Sequence, residues 1–297
     1  ASASTTLNCP KYWRMAYNTV PAAAGNTKRQ IKFITDFGTT CLHIIPSYAT
    51  RLAEVMYEEG IDPRKDTKLH TVCIGAEPHS EEQRKRIEQL LGVKAYNCFG
   101  MSEMNGPGVA FECTEQNGLH IWEDNVIVEI VDPVTLQPVP EGEVGELVLT
   151  TINREAMPLL RYRTRDLTCI LPGDCPCGRT HKRLARFKGR SDDMIILKGV
   201  NLFPIQIEKI LMQFKELGSN YLITLETIGN SDEMLIEVEL SDLFTDDYSA
   251  LQRLTKGITR QLKDELLLTP RIKLVAKGSL PTTDGKAVRV KDHRKLC

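Results

Sequence analysis

Five separated stretches of this chain carry side chains suited to one kind of chemistry. The first is Gly75-Ala76-Glu77-Pro78, where small residues let a flat purine-like ring approach the backbone. The second is Tyr96-Asn97-Cys98-Phe99-Gly100-Met101-Ser102-Glu103. There Ser102 can hydrogen-bond a phosphate, and Glu103 can hold a magnesium ion that bridges phosphate oxygens. The third, Tyr162-Arg163-Thr164-Arg165-Asp166, ends in a carboxylate able to accept from both hydroxyls of a ribose. In the fourth, Gly189-Arg190-Ser191-Asp192-Asp193, Arg190 can contact ribose or phosphate. In the fifth, Asp284-Gly285 is a strong turn dipeptide, so Lys286 can project from a loop tip. Each stretch alone has a plainer reading. The first two are then tight strand-to-helix turns, the third an ion-paired surface strand, the fourth a solvated turn and the fifth an exposed lysine. Five in a fixed order, each with a different group that ATP-dependent acyl activation needs, favour the joint reading.

The elements that position these stretches alternate from Thr27 onward. Ile31 and Ile34 have helical spacing up to a stop at Gly38. Leu42 to Ile45 is a buried-strand pattern, and Ser47 can cap a helix carrying Leu52, Val55 and Met56 that ends at Gly60. A strand over Leu69 to Gly75 precedes Ser80, which forms a capping-box pattern with Gln83. The helix it opens runs to Gly92, and Val93 to Phe99 is again a strand. This alternation implies parallel strands with helical crossovers, and ligands bind outside the carboxyl ends of such strands. After Gly106 the pattern is β-rich and antiparallel: Val126 to Val131, Val144 to Thr151, Leu159 to Asp166 and Leu167 to Leu171. Beyond Asp193 come a strand over Met194 to Lys198, a helix opened by Pro204, strands over Tyr221 to Thr227 and Met234 to Leu240, a long amphipathic helix and a strand over Ile272 to Val275. The expected fold class is therefore α/β. A partial large domain spans 1–190, with a parallel αβ part over 27–105 and a β-rich, barrel-like part over 106–190. A small α+β domain spans 191–297. The first 26 residues give no readable period.

Composition narrows the partners. The chain has 297 residues, 41% hydrophobic and 26% charged, with a net charge of −1. That length allows about two domains at roughly 100–200 residues each. No basic field points to nucleic acid or to an anionic membrane, and no apolar run approaches the roughly 20 residues of a bilayer span. Nine cysteines without a secretory signal are expected to be thiols or metal ligands in a reducing cytoplasm.

Four residues make a metal-ligand pattern. Cys175-Pro176-Cys177 places two thiols in a tight turn, with Cys113 and His120 upstream. Three thiolates and an imidazole suit tetrahedral zinc, and four protein ligands leave no open position, so the role would be structural. His181 is an alternative ligand. The plainer reading is free thiols and a surface histidine.

With these residues in view, the chain resembles the phenylacetate–coenzyme A ligase family of the acyl-adenylate-forming superfamily. The likeness runs from about Gly25 to Arg289 and includes Gly106-Pro107-Gly108-Val109-Ala110, Gly118 to Asp124 and Gly199-Val200-Asn201-Leu202-Phe203-Pro204. The resemblance implies an aryl acid, ATP and coenzyme A as substrates, with AMP bound on the way, and a dimer. It implies that Gly75, Ala76, Glu77, Tyr96 and Asn97 border adenine, beside Gly100 and Met101. Ser102 would touch phosphate, Glu103 would bind Mg²⁺, Asp166 would hold ribose and Arg190 would sit by ribose or phosphate. Asp192 would be a hinge, Lys198 and Gly199 would lie near coenzyme A, and Lys286 would stabilise charge during adenylation. The family's glycine-rich phosphate loop has no counterpart here, since Ser2-Ala3-Ser4-Thr5-Thr6 lacks the glycines. A truncated ligase is therefore expected. The alternatives are a catalytically incomplete, zinc-stabilised adenine-nucleotide-binding protein, and a scaffold whose C-terminal part only associates.

Overall fold

The computed structural model describes residues 26–104, 106–229, 231–241, 248–281 and 287–294. The chain divides into two compact units. One runs to Ala76 and resumes over Ile87–Phe187; the other comprises Glu77–Arg86 and the chain from Lys188. The second unit thus includes ten residues from the middle of the chain, and its boundary falls inside a helix. Ser2 to Thr6 and Lys286 lie outside the described residues.

The first unit opens with helix α1 (Thr27–Asp36), capped by the Asn26 side chain on the Arg29 amide. Strand β1 (Cys41–Ile44) leads to α2 (Pro46–Glu58). Ser47 is not the cap of α2: Pro46 occupies the first turn, and the N-cap, Ile45, makes no side-chain bond. Proline fits there because its missing N–H would have no helical partner. A short α3 (Pro63–Asp66), β2 (Thr71–Ile74), α4 (Glu81–Leu91) and β3 (Lys94–Met101) follow. Strands β1, β2 and β3 are parallel neighbours, as the alternation predicts. Their inner face carries Val72, Ile74 and Ala95 against Ile31, Ile34, Leu52, Met56, Ile87 and Leu91.

The sheet then turns antiparallel. Strands β4 (Gly106–Glu112) and β5 (Leu119–Ile121) extend it beyond β3. A second sheet contains β6 (Val126–Val131), β7 (Gly145–Thr151) and β8 (Tyr162–Thr168). Strands β9 (Ile170–Leu171) and β10 (Arg183–Leu184) return to the first sheet, where β10 lies between β5 and β9. Val109, Ile121, Ile130, Leu147, Leu149 and Leu184 form the core of this part.

In the second unit, β11 (Gly189–Arg190) precedes the hairpin of β12 (Ile195–Leu197) and β13 (Val200–Leu202). Helix α5 (Pro204–Leu211), β14 (Leu217–Ile228), β15 (Ser231–Leu240), α6 (Tyr248–Leu266), β16 (Arg271–Val275) and β17 (Val290–Asp292) follow. The sheet order is β16-β15-β14-β17. Leu254, Ile258, Leu262 and Leu266 recur every fourth residue on α6 and are all buried. That spacing keeps them on one helical face, and each contributes about 1.5–3 kcal/mol by leaving water. No described helix is long and apolar enough to cross a membrane.

The Ser80–Gln83 capping pattern is half made. The Gln83 amide donates to Ser80 Oγ at 3.1 Å, but Gln83 Oε1 is buried and unpartnered. The Ser80 amide donates instead to Glu208 Oε1 at 2.8 Å. A carboxylate from α5 has taken the place of the local glutamine. Burial raises the Glu208 pKa, and the Tyr221 hydroxyl also donates to this carboxylate, at 3.1 Å.

Candidate functional site

Two of the expected ligand-facing stretches sit at the carboxyl ends of adjacent parallel strands. Gly75 follows β2. A Cβ there would lie 2.3 Å from the Cys98 carbonyl oxygen and 2.7 Å from its Sγ, so only glycine fits. Ala76 takes a left-handed φ of 66°, a conformation that costs a non-glycine residue energy and clusters at ligand sites. On β3, Tyr96 and Asn97 point to opposite faces. Asn97 is buried; its amide N–H and Nδ2 donate to Glu112 on β4 at 2.7 and 2.5 Å. The side chain expected beside adenine thus also joins β3 to β4. Cys98 Sγ lies 3.1 Å from His43 Nε2, and burial pushes this thiol up to about 12.

Gly100 and Met101 end β3, and Ser102 and Glu103 are exposed in the turn that follows. Met104, fully buried, anchors that turn in the β-rich core. Arg154, from the loop between β7 and β8, donates to the Glu103 carbonyl. The Glu103 carboxylate therefore faces solvent from a turn held on both sides. An exposed carboxylate oxygen at this place could ligate a hard cation.

Asp166 lies on β8 in the other sheet. Between the pairs Val148–Arg163 and Glu146–Leu167, residues 164–166 oppose the single Leu147. This is a bulge, and Arg165 takes a φ of 69° within it. Bulges re-aim side chains and recur beside active sites. The neighbouring arginine has a different task. Arg163 donates to both carboxylate oxygens of Glu146, at 3.0 and 2.7 Å, while Glu146 is completely buried. Arg165 approaches the same carboxylate at 3.9 Å. Within one motif, Arg163 neutralises a core acid while Asp166 lies half-buried in the bulge.

The remaining described residues belong to the second unit. Gly189, at φ 138°, abuts the Phe203 ring, 2.7 Å from where a Cβ would stand. Arg190 grips Asp192 through two bonds of 2.9 Å and lies 3.7 Å from Asp193. Desolvation raises the pKa of Asp193, with the adjacent Asp192 charge adding to it. Lys198 and Gly199 have φ of 51° and 81° and form the two-residue turn of the β12–β13 hairpin. Positive φ at both central positions is the requirement of a type I′ turn. They are therefore exposed tip residues. Glu77 accepts from the Ala287 amide at 2.9 Å.

Cys113, His120, Cys175 and Cys177 converge, with ligand atoms all within 4.8 Å of one another. Cys113 follows β4, His120 lies on β5, and the two remaining cysteines lie between β9 and β10. The sheet order β4-β5-β10-β9 brings them to one edge. Cys113 Sγ is 3.7 Å from Cys175 Sγ, and Cys177 Sγ is 3.4 Å from His120 Nε2. Thiolates bound tetrahedrally at roughly 2.3 Å stand about 3.8 Å apart, so the spacing suits zinc. Burial lowers the His120 pKa, which favours the neutral ring that ligation needs. The Cys177 thiol is lowered to about 7, first by the Arg179 backbone amide. His181 is not in the set: its ring packs edge-on to Trp122 at 6.0 Å.

Two family models match the chain. Residues 2–153 match the model of the AMP-binding enzyme family, and residues 199–294 match the AMP-binding enzyme C-terminal domain. The phenylacetate–coenzyme A ligase of Thermus thermophilus is 42% identical over 291 residues, which cover 93% of this chain and 65% of that protein. The Pseudomonas putida enzyme of the same name is 41% identical, over 95% of this chain and 64% of that one. The chain thus spans about two thirds of the length of these relatives. Among solved structures, a 2-hydroxyisobutyryl-CoA ligase in the postadenylation state with R3-HIB-AMP aligns with a TM-score of 0.85 and 31% identity, over 91% of this chain and 58% of that one. A benzoate CoA ligase from Burkholderia xenovorans shares the fold at a TM-score of 0.63 and 20% identity.

Proposed function

Because the chain belongs to the AMP-binding enzyme family, within its phenylacetate–coenzyme A ligase group, we propose that it serves an ATP-dependent acid–CoA ligase acting on an aryl acid. The observation that carries the reading is that Gly75-Ala76 follows β2 while Gly100-Met101-Ser102-Glu103 closes β3, its parallel neighbour. This is where nucleotides bind in open α/β sheets.

In the first step a carboxylate oxygen attacks the α-phosphorus of ATP, and pyrophosphate leaves. In the second, the coenzyme A sulfur attacks the acyl carbon, AMP leaves, and the thiol proton passes to solvent. Gly75 and Ala76 present open backbone to the adenine, and Ser102 donates its hydroxyl to phosphate. Glu103 would hold Mg²⁺, which neutralises triphosphate oxygens. Asp166 accepts from the ribose hydroxyls, and the Lys286 ammonium stabilises charge on the attacking carboxylate and α-phosphate. Arg190 adds positive charge at ribose or phosphate. Asp192 is the hinge, and the exposed Lys198–Gly199 tip meets coenzyme A.

The Cys113, His120, Cys175 and Cys177 set would hold structural zinc, joining β4, β5 and the β9–β10 loop. Purified without chelator, the chain should carry about one equivalent of zinc by elemental analysis, and Cys113→Ser should reduce it. Less than a tenth of an equivalent would exclude the site.

The function is tested by exchange of labelled pyrophosphate into ATP with phenylacetate, benzoate and 2-hydroxyisobutyrate. Phenylacetate should support the fastest exchange. Preference for the aliphatic acid would remove the aryl assignment. ATP binding without exchange on any acid would favour a nucleotide-binding protein that does not turn over.

A further inference from the structure

We infer that Glu146 is a positioning residue for nucleotide binding: through two arginines it holds the bulge that carries Asp166. The inference rests on the reading of Asp166 as the ribose acceptor, and adds to it the residue that keeps Asp166 in place.

The bulge is a costly piece of backbone. Between the pairs Val148–Arg163 and Glu146–Leu167, β8 carries two more residues than β7. Arg165, at φ 69°, lies in the left-handed region. That conformation costs a non-glycine residue energy and persists only where the surrounding structure over-determines it. Asp166 follows directly. Its amide donates to Thr164 Oγ at 3.1 Å, and that hydroxyl donates to the Leu147 carbonyl at 3.0 Å. These neutral bonds fasten the middle of the bulge to β7.

Glu146 supplies the charged hold. Its backbone is paired on both sides, with Val131 of β6 and Leu167 of β8, and the residue is completely buried. Arg163, just before Thr164, makes its two bonds to the carboxylate and uses Nη2 again on the Pro133 carbonyl at 3.1 Å. Arg165, just after Thr164, brings Nη1 to 3.9 Å from the same carboxylate. One acid thus draws in the guanidinium groups on both sides of Thr164. Hydrogen bonds to a charged group are roughly twice as strong as neutral ones. The attraction favours the left-handed turn at Arg165, and with it the place of Asp166. Stability is a poor account of the pair. A buried ion pair can often be replaced by apolar side chains without loss, because desolvating the charges offsets their attraction. Geometry is the better account, since a binding group must be held within about 0.5 Å to act fully. Glu146 therefore acts through Asp166 and not on the nucleotide.

The test is calorimetric titration of the full chain, with magnesium, against ATP and against 2′,3′-dideoxy-ATP, which lacks both ribose hydroxyls. The unmodified chain should bind ATP about tenfold or more tighter than the dideoxy nucleotide, the worth of hydrogen bonds to a charged acceptor. Asp166→Asn should cut that ratio below about threefold. Glu146→Gln keeps the shape and one acceptor oxygen but not the charge. It should cut the ratio equally, while affinity for the dideoxy nucleotide changes less than about twofold. Joint replacement by Glu146→Met and Arg163→Met should leave the urea midpoint unchanged and still lose the ratio; if that variant does not fold, Glu146→Gln decides alone. A folded variant of either kind with the full ratio would overturn the inference. So would equal weakening of both nucleotides in Glu146→Gln, which marks a role in folding only. An intact ratio in Asp166→Asn is a distinct result: it removes Asp166 as the ribose acceptor, and the inference with it. No binding by the unmodified chain removes the nucleotide reading as a whole.

Discussion

Replacing Lys286 with alanine should slow acid-dependent exchange of pyrophosphate into ATP by about 10²–10³-fold, the cost typical of losing one preorganised group aimed at developing charge. Charge develops when the carboxylate closes on the α-phosphorus, and an ammonium held there is stronger in the transition state than before it. The second step places no such demand on Lys286. Thioester formation from preformed acyl-adenylate should therefore fall far less, and comparing the two rates on one preparation checks this. Equal loss in both half-reactions would refute the assignment. Lys286 itself lies outside the described residues.

Gly75→Ala should destabilise the first unit by about 1–3 kcal/mol, the usual cost of overfilling a packed site. The added methyl would stand 2.3 Å from the Cys98 carbonyl oxygen, which is backbone and cannot rotate aside. One of the two strands must move, and both end at the expected adenine surface. Chemical denaturation should show the loss of stability, and nucleotide affinity should fall with it. Gly142→Ala is the contrasting control: unlike Gly75, that glycine has a positive φ of 87°, and nothing stands within 4 Å of its Cβ position. It should alter stability through backbone strain and leave nucleotide affinity unchanged.

The periodic elements were legible in the sequence because their spacing is local. Leu254, Ile258, Leu262 and Leu266 mark α6, and the alternation from Thr27 marks the parallel strands. Several of the two- and three-residue strands had no such signal. β5, β10 and β17 are too short to show a period, and each is defined by a partner distant in sequence. The same limit explains the capping of α4. Gln83 was the local candidate, but the bond to the Ser80 amide comes from Glu208. Acids paired within the fold were hardest to read. Glu112 and Glu146 look like strand-surface residues in sequence, yet one binds Asn97 and the other Arg163.

Motifs were legible as groups more than as separate residues. Tyr162 to Asp166 reads as one unit, but Arg163 serves the core while Asp166 sits in a bulge. Lys198 and Gly199, expected near coenzyme A, form the turn of a hairpin. The cysteine set was accessible from spacing because two of its members share a three-residue turn. The meeting with Cys113 and His120 depends on the sheet order, which no local pattern reveals.

Calorimetric titration of the chain with ATP and magnesium probes the proposed nucleotide site most directly. The expected result is a single binding site, weakened at least tenfold by Asp166→Asn and again by Glu103→Gln. Full affinity in both variants, or no binding by the unmodified chain, would contradict the joint use of these two carboxylates.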